Sequence, residues 1–146
     1  MNKRKIYVAS SWRNKIYDGI VAKLKELGHE VYDFRNPEGG TGFSWSQIDE
    51  EWKDWSPERY VFCLNTDIAQ KGFDSDFNAM KWADTCVMVL PCGRSANTEA
   101  GWMKGAGKEV YVYQETYEEP ELMYKMHDGF VLSMDALENT FKITNN

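Results

Sequence analysis

A chain of 146 residues with 42% hydrophobic and 14% aromatic residues reads as one folded domain rather than a disordered segment, expected to bury about 68–70% of its unfolded surface. Lys and Arg number 17 against 23 Asp and Glu, so the net charge is −6 and the pI near 5.0, which argues against nucleic acid or a membrane as partner. Cys63, Cys86 and Cys92 show no CxxC or metal spacing and suit a reducing, cytoplasmic compartment, while residues 1–9 are too short and strand-like for a signal peptide and no apolar run reaches transmembrane length.

Lys5 to Ser10, KIYVAS, predicts a first strand. Tyr7 by itself reads as an ordinary strand aromatic. Ser10, Ser11, Trp12, Arg13 and Asn14 form the following turn, and a helix is expected from about Lys15 to Leu27. Its apolar positions Ile16, Ile20, Val21, Leu24 and Leu27 recur at helical spacing, and Gly28 closes it. Ser10, Ser11 and Arg13 at this turn suit an anion, held by backbone N–H groups and the guanidinium. Hydroxyls in such a turn equally cap helices. His29 to Phe34 is the second strand, and strand, helix, strand implies a right-handed βαβ unit.

Asn36 to about Asp74 breaks this rhythm. Pro37, Gly39, Gly40 and Gly42 begin a loop, followed by Phe43, Trp45, Trp52 and Trp55. Long loops in compact domains are usually functional or flexible, and flat rings suit stacking on a base. A lid or ligand contact, a dimer contact and plain core all remain open, as does a helix (around Trp45 to Trp52, or from Trp55 to Leu64) packing as the lid or dimer contact. Asp67 to Trp82 reads as loop, then helix, with Asp74 or Asp76 placed to cap it. Acidic residues at a helix start are common for dipole reasons alone.

Thr85 to Leu90 is a short apolar run without alternation, the pattern of a parallel strand buried on both faces. Pro91, Cys92 and Gly93 stop it, and Arg94, Ser95, Ala96 and Asn97 read as a polar turn. Thr98 is then expected to cap a helix starting at Glu99 and carrying Ala100, Gly101, Trp102 and Met103. That places Glu99 at the carboxyl edge of a sheet, where open α/β folds bind ligands, and close to a helix N-terminus that favours an ionised carboxylate. Gly105 and Gly107 lead to a fourth strand, Glu109 to Tyr113. Glu118 to Glu121 open a short helix through Tyr124 and Met126, with Pro120 in its first turn. Gly129 to Met134 is a fifth strand, and Asp135 caps the last helix. The expected fold is a single doubly wound, flavodoxin-like α/β domain spanning residues 1–146, with a five-stranded parallel sheet in the order 2-1-3-4-5.

Tyr7 on the first strand, Asp76 ahead of the third, and the turn GRSANTEAGWM resemble the nucleoside 2-deoxyribosyltransferase family. They are similar also to the related deoxynucleoside 5'-monophosphate N-glycosidases. The resemblance extends to the PELMYKM and DGFVLSMDAL segments, and so over nearly the whole chain. It implies the flavodoxin-like fold and cleavage of the N-glycosidic bond between a base and a (deoxy)ribose, with Glu99 at the position of the family's carboxylate nucleophile. Gly93 stands where the family's transferases often carry an acidic residue, and Glu121 where they often carry Asn. The SSWR turn is similar, more loosely, to the serine- and arginine-bearing first loop of the monophosphate glycosidases. The substrate side would then comprise Ser10, Arg13, Phe43, Trp45, Gly93, Arg94, Ser95, Asn97, Met103 and Glu121. The implied partner is a small-molecule nucleoside or nucleotide, the implied assembly a homo-oligomer, and no metal or cofactor is called for.

Breaking a glycosidic bond builds oxocarbenium character at the anomeric carbon, which a carboxylate can stabilise or attack. The departing base needs a proton, and Asp76 is the candidate donor, with a raised pKa from burial or from Glu99. Tyr7 is placed to hold the rotamer of Glu99. Two other classes compete: a module that binds a nucleotide without turnover, and an interaction protein that uses the tryptophan-rich insert as an interface.

Overall fold

The computed structural model describes residues 2–37 and 42–144; Gly39 and Gly40 of the expected loop lie outside the described residues. The elements run β1 (Lys5–Ala9), α1 (Tyr17–Glu26), β2 (Glu30–Tyr32), α2 (Pro57–Leu64), α3 (Asp67–Trp82), β3 (Thr85–Val89), α4 (Arg94–Gly105), β4 (Glu109–Tyr113), β5 (Gly129–Val131) and α5 (Met134–Phe141). Short 3-10 turns occupy Trp45–Gln47, Trp52–Asp54 and Leu122–Met126. All four strand pairings are parallel, and the order is 2-1-3-4-5, as the βα alternation predicts.

Alternation along β1 divides the core into two layers. Ile6 and Val8 face α1 and α5, joining Tyr17, Ile20, Leu24, Leu137 and Phe141. Tyr7 and Ala9 face the other way, against Met80 of α3 and Ala96, Ala100 and Met103 of α4. The central strand β3 is buried at every residue, which explains its unbroken apolar run, Cys86 included. Fully burying side chains such as Ile20 and Leu24 contributes about 1.5–3 kcal/mol each. Gly28 (φ 101°) and Gly107 (φ 84°) follow α1 and α4 in the left-handed region that favours glycine. No helix among the described residues is long and apolar enough to cross a membrane.

Several expected boundaries move. The helix α3 is one 16-residue unit starting at Asp67, where the Thr66 hydroxyl accepts from Ala69 N (3.4 Å), so Asp74 and Asp76 are interior residues and not caps. In the insert, α2 runs from Pro57 behind the Ser56 cap, whereas Trp45 and Trp52 sit in 3-10 turns. The last strand stops at Val131, and Ser133 rather than Asp135 caps α5. Pro120 lies before the Leu122–Met126 turn, which Glu121 caps by accepting from Met123 N (3.0 Å).

Candidate active site

The helix carrying Glu99 begins earlier than its polar start suggests. Gly93, in extended conformation, is its N-cap, and Arg94–Asn97 are already helical. The signal was the stripe Ala96, Ala100, Met103, whose helical spacing buries all three against the sheet. Thr98 therefore caps nothing; its hydroxyl donates back to Arg94 O (2.8 Å). Glu99 falls in the second turn, removed from the helix N-terminus. Its environment raises rather than lowers its proton affinity: burial pushes the carboxyl up to about 7, the charge of Asp76 adds to this, and a hydrogen bond from Tyr7 opposes it.

Glu99 faces a cavity of about 930 Å³ at the carboxyl edge of β1 and β2, together with Asp76. On α3, Ile68, Gly72, Ser75 and Asp76 share the face toward the cavity, as i, i+4, i+7 and i+8 must, with Lys71 beside them. On α4, Ser95 and Glu99 do the same at i and i+4. Tyr7 O–H donates to Glu99 Oε2. Tyr32 O–H donates to Asp76 Oδ1 (2.9 Å), and burial raises the Asp76 pKa against that bond.

The first turn is organised by a residue the sequence did not single out, Arg35. Its guanidinium lies over the Tyr17 ring (4.7 Å) and donates to the carbonyls of Trp12 (2.7 Å) and Asn14 (2.7 Å). The turn thus gathers its carbonyls around a cation instead of aiming N–H groups at an anion. Ser10 lines the cavity but spends its hydroxyl on Val89 O (2.9 Å). Arg13 is not brought to Glu99; it borders a separate depression with Leu90, Pro91, Glu115 and Thr116. Trp12, by contrast, lines the Glu99 cavity and meets Phe34 edge-on (5.2 Å).

Phe43, Trp45 and Trp52 form much of the opposite wall. Trp45 meets Phe43 (4.8 Å), Trp55 (5.7 Å) and Tyr60 (5.9 Å) edge-on, and Trp55 Nε1 donates to Asp49 (2.9 Å) behind it. Two glycines let this wall close up. A Cβ on Gly42 would stand 2.3 Å from the Trp12 ring, and one on Gly72 would stand 2.9 Å from Phe43 Cβ. Gln47 joins the lining and accepts from Ser44 N (3.3 Å).

The remaining expected residues lie elsewhere. Met103 is buried in the core beneath the sheet, because it continues the Ala96–Ala100 stripe. Gly93 is spent as the cap of α4, and Arg94 opens that helix without lining the cavity. Asn97 donates to Gly93 O (2.8 Å) and accepts from Tyr124 O–H (2.7 Å), tying α4 to the Leu122–Met126 turn. Glu121 caps that same turn and does not reach the cavity. Trp12, Tyr32, Gln47, Lys71 and Ser75 were missed; parallel register with Tyr7 could have flagged Tyr32, its direct partner on β2. Among the described residues, no three His, Cys, Asp or Glu side chains converge as a metal site.

No family model matches the chain, and none of the curated proteins does. Among solved structures, a 2-deoxyribosyltransferase of the bacterium Bacillus psychrosaccharolyticus aligns over 97% of this chain and 98% of its own, with TM-score 0.62 and 23% identity. This chain has its fold. The Clostridium botulinum CMP N-glycosidase BcmB aligns over 92% and 96%, with TM-score 0.50 and 15% identity. A conserved protein from Enterococcus faecalis V583 aligns over 94% and 96%, with TM-score 0.55 and 13% identity. The α/β architecture expected from the resemblance is thus shared by all three.

Proposed function

We propose that the protein cleaves or transfers the N-glycosidic bond of a (deoxy)nucleoside or nucleotide. The observation that carries this reading is the pair Glu99 and Asp76, two carboxyl groups facing one aromatic-walled cavity, each bonded by its own tyrosine. The folds shared with a 2-deoxyribosyltransferase and a CMP N-glycosidase point the same way.

In this reading the reactive form is the one in which the single proton of the carboxyl pair sits on Asp76, and an oxygen of ionised Glu99 attacks the anomeric carbon. The bond from that carbon to the base nitrogen breaks with its electrons on the base, and Asp76 supplies the proton. Tyr7 occupies Glu99 Oε2, which leaves Oε1 to form the ester. After the base departs, Asp76 as carboxylate takes a proton from water or from a second base, which attacks the anomeric carbon. Glu99 is then released, and two inversions retain the sugar configuration. Rings at Trp12, Phe43, Trp45 and Trp52 offer faces for the base. The charged groups lining the cavity among the described residues are Lys71, Asp76 and Glu99. We also propose a homo-oligomer, since Val61 (54% exposed), Phe62 (65%), Leu122 (78%) and Met123 (60%) present apolar side chains to solvent.

The test is a panel of nucleosides, nucleoside monophosphates and NAD, with and without an acceptor base, read as free base released and new nucleoside formed. Release with water alone makes the protein a hydrolase, and exchange between bases makes it a transferase. Ligand-induced thermal stabilisation with no release across the panel would overturn the enzymatic reading in favour of a binding module.

A further inference from the structure

The two carboxyl groups of the cavity are held by a matched pair of tyrosines. Tyr7 and Tyr32 are direct neighbours across the parallel β1–β2 register, and their rings stack at 5.4 Å with planes 13° apart. Tyr7 reaches over to α4 and donates to Glu99 Oε2, whereas Tyr32 reaches over to α3 and donates to Asp76 Oδ1 at 2.9 Å. Tyr32 is anchored a second time by Ser75, whose hydroxyl lies 3.1 Å from its own. With the phenol proton committed to Asp76, Ser75 is the donor in that contact. Burial, together with the carboxylates, pushes both phenols well above the ordinary tyrosine range. Each therefore stays a donor throughout the working pH range and is not itself a proton carrier.

We propose that Tyr32 is a positioning residue for Asp76: its hydroxyl fixes the carboxyl rotamer by engaging Oδ1, leaving Oδ2 as the oxygen that exchanges a proton with the ligand. The role rests on the glycosidic reading given above. The groups around Asp76 are Tyr7 from β1, Tyr32 from β2, Ser75 and Lys71 from α3, and Glu99 from α4. Tyr32 is the one whose hydrogen bond favours the ionised form of Asp76. Because the charge of Asp76 raises the proton affinity of Glu99, a change in the ionisation of Asp76 shows at Glu99 with opposite sign. Losing the Tyr32 hydroxyl makes Asp76 keep its proton to higher pH. A less charged Asp76 in turn lets Glu99 ionise more easily.

Tyr32→Phe keeps the ring stacked on Tyr7 and removes only the hydroxyl. With Asp and Glu carboxyl carbons labelled with 13C, NMR titration of the free protein follows both groups, assigned from Asp76→Asn and Glu99→Gln. Tyr32→Phe should move the Asp76 midpoint to higher pH and the Glu99 midpoint to lower pH. Tyr7→Phe should move Glu99 upward and leave Asp76 unmoved or lower. In turnover, Tyr32→Phe should lower kcat about tenfold with KM little changed, and shift the acid limb of the kcat/KM profile to higher pH. An unmoved Asp76 midpoint, or both carboxyls moving together, overturns the inference even if the wild-type protein releases base normally. Opposite movements in a wild-type protein that releases no base would support the Tyr32–Asp76 coupling and overturn the glycosidic reading alone. Tyr32→Ala, which also loses the stack, separates the two contributions: a midpoint equal to that of Tyr32→Phe assigns the effect to the hydroxyl, and a normal midpoint in either variant overturns it.

Discussion

Tyr7 and Glu99 at the floor of the cavity are held by a strand from the sheet and a helix packed across it, whereas Trp45 and Trp52 on the wall ride on three-residue 3-10 turns. On the floor, Tyr7 and Met88 are fully buried, and Glu99 and Asp76 are each held by a tyrosine hydroxyl. On the wall, Trp52 is 38% exposed, and order comes from ring edges and from hydrogen bonds made by side chains such as Gln47 and Asp49. The difference assigns separate tasks. Groups that must hold a reacting atom to a fraction of an ångström belong on strands and helices, and groups that need only offer a flat face can sit on turns. Substitutions on the floor should therefore act on the chemical step, and those on the wall on substrate affinity.

The largest expected effect is at the floor. Glu99→Gln keeps the shape of the side chain and an oxygen for the Tyr7 hydrogen bond, but it removes the oxygen anion that the proposed mechanism uses as nucleophile. Base release should fall by at least ~1,000-fold while ligand binding persists. Wild-type protein quenched during turnover should carry a sugar adduct on the peptide containing Glu99. Near-normal release by the variant would remove Glu99 from the chemistry, and release without any adduct would leave it an electrostatic role only.

The same substitution should have the opposite effect on stability. The Glu99 carboxyl has its pKa raised from the ordinary 4.5 to about 7, mainly by burial. The folded state therefore binds this proton more tightly than the unfolded chain, and stability falls as pH rises from about 4.5 to about 7. Glu99→Gln escapes that penalty. It should match wild type near pH 4.5 and exceed it by about 1–3 kcal/mol at pH 8 in denaturant melts. Equal stability at both pH values would mean that Glu99 is not desolvated in solution. In catalysis the carboxyl pair needs one proton for the departing base, so kcat/KM should decline above about pH 7, where the pair loses its last proton. A profile flat to pH 9 would assign the acid to another group.

The wall should respond more weakly. Trp45→Ala removes a ring that lines the cavity and braces Phe43, Trp55 and Tyr60. KM should rise roughly tenfold with kcat changed less, and Trp52→Ala, at a more exposed ring, should do less. A large fall in kcat with KM unchanged would break the division between floor and wall.

How far the sequence carried this reading also follows the division. The parallel sheet and its order were legible because each strand is a short apolar run separated by a helix-length segment, a pattern that buried parallel strands impose. Glu99, Asp76 and Tyr7 were singled out through their resemblance to a known motif, and the structure places Glu99 and Asp76 on one cavity, with buried Tyr7 bonded to Glu99. Local readings failed where tertiary packing overrode polarity. Arg94 to Asn97 looked like a turn, yet burying Ala96 drew them into α4, and that moved Glu99 away from the helix N-terminus. Arg13 was matched by residue type alone, while Arg35, distant in sequence, took the place beside the first turn. Tyr32 was invisible for a related reason, since its role depends on which residue of β1 it pairs with.

The smallest expected effect tests how closely wall and floor are fitted. Gly72 lies on the cavity face of α3, and a Cβ there would stand 2.9 Å from Phe43 Cβ and 3.0–3.1 Å from ring atoms. The helix itself tolerates alanine at this position better than glycine, by roughly 0.5–1 kcal/mol. The contact is with Phe43 Cβ, at the root of the side chain, so the segment carrying Phe43 must shift. Gly72→Ala should therefore lower thermal stability slightly despite the helix preference while it pushes Phe43 off its seat. Because Phe43 braces Trp45 edge-on, the displacement passes to the ring offered to the substrate. The expected result is a KM raised about threefold with kcat preserved, since Asp76 and Glu99 are untouched. Phe43→Gly removes the Cβ as well as the ring atoms that the new methyl would meet, so adding Gly72→Ala to Phe43→Gly should cost little further. That non-additivity is the informative measurement. Equal penalties in both backgrounds would mean that Gly72 acts through the helix rather than through Phe43, and the wall would then be seated by something other than this contact.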